Sequence, residues 1–572
     1  TQSLGYRLTG SAGDTAGYTR NYYNGKDYNG VQEWSVRGKL RWLPTENLEL
    51  KWASDYSEYE ADANASPLRS IEPFGGNEDY VQEVLDNIQP VEVGDEANEV
   101  NHNTLPYSEG DNWGHSLEIN WGIGDLNLTS ITAVRGNTIT ADNADGDLDG
   151  QPITVLALSQ GGNTEQEQFT QELRLTSPGN NDFNYVVGLF YFDQEVDRRF
   201  IRQLELVPDQ PGEGIADFVV DTRNWAVFGE ANWNFSDSWR LIIGARYTED
   251  ELDYEFSRTR DGLPVGIPDP VDSTGGGTDE DDLSGKLALQ WDYSDAGMSY
   301  LSYTTGYKGP AYDLTFGTDP VDLPRVEPER SQSWELGLKS TFWDGRLMLN
   351  AALFYTDYED FQGQAYFDPD GPGDCPIGEA GCDPDNDPGG FILTNAGEVR
   401  TQGLELDFVA QVSRGWRLSG GLALIDAGIE DYESGPCSDG QVFRGECSPD
   451  GIQDISGGDL PFSPDWKLNV AAAYTWERRE NFDMILRALV RAQDEVLYAL
   501  DQDENKVGDA YGVLDLSAQL LAQNDRWDAT FFVKNVFDEF YPSTIYDINS
   551  NFIQNAYFHR YSKSAERNYG LE

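Results

Sequence analysis

The chain contains no apolar run long enough to cross a membrane as a helix. Its longest, Tyr185–Phe192 (YVVGLFYF) and Leu468–Tyr474, fall far short of the ~18–20 residues that a spanning helix needs. This excludes helical spans and nothing more, because a membrane strand needs only ~9–11 residues with every second one apolar. Positive charge is scarce too: 39 Lys and Arg stand against 101 Asp and Glu, a net charge of −62. A field of that sign excludes nucleic acid as a partner. Histidine and methionine number 3 each. His102, His115 and His559 are scattered, without a nucleophile motif or phosphate loop, so the chain reads as a non-enzyme. Cysteine is confined to two close pairs, Cys375/Cys382 and Cys437/Cys447, each in Gly/Pro/Asp-rich sequence without histidine. That pattern argues against zinc and for two loop-internal disulfides in an oxidising compartment.

What the chain has in abundance is alternation. In Glu329–Phe361, Trp334, Leu336 and Leu338 alternate with Glu335, Gly337 and Lys339. After the turn Trp343-Asp344-Gly345-Arg346, Leu347, Leu349, Ala351, Leu353 and Tyr355 share one face. A two-residue period marks a strand between unlike environments, and Asp-Gly between two such runs marks a hairpin. The unit recurs for most of the 572 residues, with no linker to divide them into the several domains expected of a soluble chain this long. Twenty strands are expected, the first at Gln2–Ala12. Tight turns alternate strictly with loops of roughly ten to fifty residues, among them 60–110, 142–163, 203–222, 257–280 and 308–328. Soluble sandwiches have no reason to make every second connection short, whereas transmembrane barrels do.

Tryptophan supports this reading. Of 15, nine lie within a few residues of a short turn: Trp42, Trp121, Trp233, Trp239, Trp291, Trp343, Trp416, Trp476 and Trp527. Indole favours the membrane–water interface, so these form one aromatic girdle. Lys339, Glu405, Asp407, Lys467, Asn469, Glu172 and Arg174 then point inward, opposite the Leu404/Leu406/Phe408 row, and require a wet or protein-filled lumen. About 20 strands enclose a lumen too wide for side chains alone to fill. The expectation is an all-β transmembrane antiparallel β-barrel with short periplasmic turns and long extracellular loops. A soluble secreted adhesin would fit the acidity and disulfides but not the alternating connections.

The ordered segments TQELRLTS (170–177), YVVGLFYF (185–192), VFGEANWNF (227–235), GARYTEDE (244–251), LSYTTGYKG (301–309), NAGEVRTQGLELD (395–407), FFVKNVFDEFY (531–541) and ERNYGLE (566–572) resemble the barrel of TonB-dependent outer-membrane receptors. The resemblance implies a barrel of 22 strands in the bacterial outer membrane, of which about 20 are visible here. Against the family pattern, residues 1–572 would be barrel alone, with the N-terminal plug and first two strands absent and the last strand incomplete. It further implies active import of a scarce nutrient, a ferric siderophore or similar iron complex, energised by TonB acting through the plug. The alternative is a passive porin-like or oligosaccharide-binding barrel. Outer-membrane lipid, lipopolysaccharide and a small-molecule nutrient are the expected partners, and no cofactor is required.

Siderophores bind aromatic and Arg side chains, and Tyr307, Lys308, Tyr312, Phe361, Tyr366 and Phe367 stand at loop edges where they could serve. They fit equally well as interface aromatics, and oligosaccharides would stack on the same rings. Haem would call for axial His or Tyr on outer loops, where only His102 and His559 of the histidines are expected. Asp145, Asp147 and Asp149 match the first half of a Ca²⁺ loop, although Leu156 stands where its bidentate Glu belongs. Asp383, Asp385 and Asp387 form a similar acidic run. Both are candidate loop-bound Ca²⁺ sites, and divalent cations could likewise bridge acidic loops to lipopolysaccharide phosphates.

Overall fold

The computed structural model describes residues 3–62, 65–73, 78–102, 107–142, 157–179, 181–205, 211–262, 267–314, 316–317, 323, 325–367, 390–395, 397–447, 452–476, 482–522, 526–547 and 556–572. Cys375, Cys382 and all six candidate calcium-binding aspartates lie outside these residues. Twenty strands join in one antiparallel sheet. Its ladders pair each strand with its neighbours in chain order, from Leu4–Thr15 to Asn568–Leu571. Among the described residues no helix is long and apolar enough to cross a membrane.

The registers give every strand one apolar and one polar face. Outside, Leu338, Ala351, Leu406, Leu422 and Leu468 form one cross-strand row. Inside, one residue along, Asn350, Asp407, Gly421 and Asn469 form another. Lys51 and Glu118 (3.0 Å), Arg135 and Asp55 (2.8 Å), and Arg174 and Glu172 (2.8 Å) pair across or along the same inner face. The tight hairpin read from Asp344-Gly345 is present. Trp343, Asp344 and Gly345 all take positive φ (54°, 55° and 86°), which a primed turn demands and glycine adopts without strain.

Two aromatic girdles ring the outside, not one. Trp34 and Trp42, Trp113 and Trp121, Trp225 and Trp233, and Tyr247 and Trp239 each lie eight residues apart on one outward face. Eight residues of strand span about 27 Å, and tilting at ~40° leaves roughly 20 Å, close to the ≈25 Å apolar band of outer-membrane barrels. The girdles therefore mark both membrane boundaries.

Four strands run far beyond the upper girdle: Phe183–Glu205, Pro211–Ser236, Trp239–Asp261 and Val271–Ser294, of 23, 26, 23 and 24 residues. Strand therefore replaces most of the expected loops 203–222 and 257–280, and Ala157–Asn163, at the end of the expected loop 142–163, is strand as well. The physical reason is an inversion of polarity. Below the girdle the outward positions are apolar, as at Val187 and Leu189. Above it the outward positions are charged, at Glu195, Asp197, Asp221, Glu251 and Asp253. The apolar residues Val196, Phe200, Phe218 and Phe256 turn inward instead. Once lipid is left behind, the only dry environment is between the strands and the loops that fold over them.

The long connections pack into a tier of their own. Helix Glu78–Asn87 contributes Val84, and Ile88 directly after it, to a core with Leu68, Ala556 and Phe558. Cys437 and Cys447 form a disulfide, and the neighbouring Ser438 donates to the buried Asp503 carboxylate (2.5 Å). That carboxylate also accepts from Tyr557 Oη (2.6 Å) and Arg444 Nη2 (3.1 Å). Burial alone would raise the Asp503 pKa, but these donors hold it low. Lys506, 3% exposed at its side chain, is clasped by Asp501 and by Asp547 at 2.5 Å. His559 is fully buried, its Nε2 2.7 Å from the Ala97 carbonyl, which joins the first long loop to the last.

Two outcomes follow from these environments. Leu406→Arg, at mid-membrane on the outer face, is expected to cost about 2–4 kcal/mol in denaturant unfolding of the full-length protein in vesicles. Glu405→Gln, one residue along and facing the lumen, should cost no more than about 0.5 kcal/mol; the reverse ranking would invert the faces. Burial, with Arg69 nearby, pushes the His559 pKa down to about 4 from 6.5, against smaller upward pulls from Ala97 and Asp95. A depressed folded-state pKa means the unfolded chain binds the proton first. The stability of this packing is thus fully present above pH 6.5 and is lost as pH falls to about 4, by roughly 3 kcal/mol in all. Hydrogen-exchange protection of residues 556–560, corrected for intrinsic rates, should fall between pH 7 and 4.5 and become flat in His559→Gln.

A candidate ligand wall above the membrane

Arg202 stands eleven residues beyond the girdle residue Tyr191 (202 − 191), about 35 Å farther along the strand. On the inner face of this strand Arg198, Phe200 and Arg202 alternate with the outward Asp197, Arg199 and Ile201. Phe218 lies opposite Arg198 in the register, and Phe256 opposite Phe218. The two phenyl rings stack with centroids 6.3 Å apart and planes 9° from parallel. From above comes Phe316, packed on Phe200 at 5.3 Å. Gly214 permits this approach: a Cβ there would lie 2.5 Å from Phe316 Cζ and 2.6 Å from Ile267 Cγ2.

Four arginines share this inner face but are held differently. Arg258 donates to the carbonyls of Asp269 (2.8 Å) and Phe316 (2.7 Å), pinning two loops to the wall. Arg260 donates to the Ile267 carbonyl (3.2 Å) and pairs with Asp269 (2.6 Å). Arg198 is open to the vestibule, its guanidinium 5.5 Å from the Phe218 ring centre and 5.8 Å from that of Phe200. Arg202 lies 4.5 Å over Phe316 and 5.9 Å over Phe200. Its Nε is sealed from solvent with no hydrogen-bond partner among the described residues. Burial pushes its pKa down to about 10. An enclosed guanidinium resting on aromatic faces, without a carboxylate, has unused capacity to bind an anion.

The residues singled out from sequence are dispersed. Tyr312 joins this wall, with its ring 4.7 Å from Tyr254 and its hydroxyl donating to the Gly277 carbonyl (3.2 Å). Tyr307 lies under Arg330, and Lys308 faces Glu329 at 3.9 Å. Phe361 packs in another cluster, with Tyr358, Val399 and Ile429. Tyr366 and Phe367 belong to the ladder Gln362–Phe367/Gly390–Asn395, and their side chains lie outside the description. Phe218 and Phe316 were missed because their segments read as loop, and Arg198, Phe200 and Arg202 because they lie between the strand read at Tyr185–Phe192 and the loop read at 203–222. The inward row Val196, Arg198, Phe200 and Arg202, opposite the outward Glu195 and Asp197, was the available signal.

Known proteins share the fold that carries this wall. The probable TonB-dependent siderophore receptor PiuA of Acinetobacter baumannii is 21% identical over 241 residues, covering 41% of this chain and 28% of PiuA. The ferric-pyoverdine 358 receptor of Pseudomonas putida is 23% identical over 324 residues, 56% of this chain and 33% of that receptor. The chain thus spans a third or less of these curated relatives in the matched stretches. The ferric yersiniabactin uptake receptor FyuA of Yersinia pestis shares the fold at a TM-score of 0.75 and 18% identity, over 100% of this chain and 74% of FyuA. The family description "TonB dependent receptor-like, beta-barrel" matches residues 61–536. With its rows of outward apolar residues and its paired girdles, the chain is an outer-membrane barrel that belongs to the TonB-dependent receptor family.

Proposed function

We propose that the chain forms the barrel wall and outer mouth of a TonB-dependent importer of a ferric siderophore. The observation that carries this reading is the arginine–aromatic wall set above the membrane on the inner face of four extended strands. It is where a solute arriving from outside would first meet protein, and its chemistry suits a metal chelate with aromatic or anionic donors. The relatives described above are named as receptors for iron chelates, which points the same way. A passive pore gains nothing from a desolvated cation without a partner, which would trap permeating anions, and an oligosaccharide offers that cation no charge.

The reading also calls for a luminal plug that TonB can pull, and for further strands to pair with the two free sheet edges. Leu4–Thr15 is exposed along its whole length, and among the described residues no ladder joins it to Asn568–Leu571. Unpaired backbone of this kind is untenable in hydrocarbon. Both roles are part of the proposed importer.

Uptake of ⁵⁵Fe-labelled siderophores into a strain lacking the endogenous gene, complemented with the full-length protein, is the direct test. Iron accumulation should appear with at least one chelate and vanish on loss of TonB or on collapse of the proton gradient. Accumulation that survives both treatments would identify a passive pore.

A further inference from the structure

Resting on that importer reading, we propose that the wall selects cargo by charge and shape: Arg198 and Arg202 receive a flat, conjugated anionic group of the chelate, such as a catecholate or salicylate ring. Three observations lead there. First, the other buried charges of the long-loop end are compensated by protein: Lys506 by two aspartates, Asp503 by four side-chain donors, Arg258 by two carbonyls. Arg202, partly buried with its Nε sealed from solvent, has no oxygen partner among the described residues, in a chain carrying 101 carboxylates. A guanidinium partly withdrawn from water without an anion marks a position that an incoming anion would relieve.

Second, both guanidinium groups rest on phenyl faces rather than on carboxylates. An aromatic face holds a cation by its quadrupole and leaves the N–H edge free, whereas a carboxylate would occupy that edge and compete with the visitor. Third, Arg198 and Arg202 flank Phe200 on one inward row, with Phe218 and Phe316 beside it. A planar ring can lie along those phenyl groups while its oxygens meet the guanidinium forks. A neutral hydroxamate chelate has the iron but neither the ring nor the charge.

The test is equilibrium binding to the purified full-length protein in detergent, using a ferric tricatecholate of net charge −3 and a neutral ferric trihydroxamate of similar size. The tricatecholate should bind the wild type more tightly by roughly tenfold to a hundredfold, the range of one or two charge-assisted hydrogen bonds. Arg198→Gln and Arg202→Gln should each remove most of that preference without changing hydroxamate affinity. Arg202→Lys, which keeps the charge but loses the planar fork, should fall between. Equal or tighter hydroxamate binding by the wild type needs no variant to be informative and would overturn the proposal, as would a preference unchanged in both glutamine variants. If the ⁵⁵Fe assay succeeds while this preference is absent, the selectivity idea fails and the importer stands. If neither chelate binds and no iron enters, both fail.

Discussion

A polypeptide inside hydrocarbon finds no water for its N–H and C=O groups, so each must bond to another strand. That constraint produces the ladders, and the ladders fix a two-residue period in side-chain direction. Sequence then has one decision left at each position, which face receives carbon and which receives charge. The row Leu338, Ala351, Leu406, Leu422 and Leu468 and the row Asn350, Asp407, Gly421 and Asn469 are that decision made on adjacent positions of the same strands.

The rule that polar residues face the lumen holds only while lipid is the outer solvent. Past the upper girdle both sides are wet, and the dry environment is whatever the protein builds. The strands continue through the boundary with their registers intact, so the polarity of their two faces exchanges without any change of backbone. Outward positions such as Glu195, Asp197, Asp221 and Glu251 are acidic, and inward ones such as Phe200, Phe218 and Phe256 are aromatic. The strong negative charge of the chain is therefore placed in part on the outer side of the extended strands, away from the wall where Arg198 and Arg202 stand.

This inversion explains which parts were legible in sequence. Strand existence, the alternation of turns with long connections and the lower girdle all depend on local patterns such as Trp334–Leu338 or Asp344-Gly345, and they are present as read. The upper girdle was equally visible as aromatic residues eight positions from the turn Trp, but it requires comparing strands with one another. The extended strands were hidden because a segment such as Val271–Glu280 (VDSTGGGTDE) is rich in Gly and Asp, a composition that reads as loop. The site was less legible still. Phe316 reaches Arg202 across more than a hundred residues, and no local pattern reports that contact.

Charge burial in the outer tier is informative because it is done in two ways within the same loops. Around Asp503 and Lys506, partners from separate connections converge until each charge is met, and the result is a rigid clasp tied by the Cys437–Cys447 disulfide. Around Arg202 the protein supplies only ring faces. Had the chain been merely tolerant of buried charge, Lys506 would not need two carboxylates at hydrogen-bonding distance. Had it lacked acidic side chains to offer, Asp197 and Asp217 would not lie on neighbouring strands with their side chains turned to the opposite face, where Arg199 meets Asp217 at 3.7 Å. On these two strands Arg198, Phe200, Arg202 and Phe218 take inward positions while Asp197 and Asp217 take outward ones, so the nearest carboxylates in the ladder turn away and leave the arginine edge available to an anion from outside.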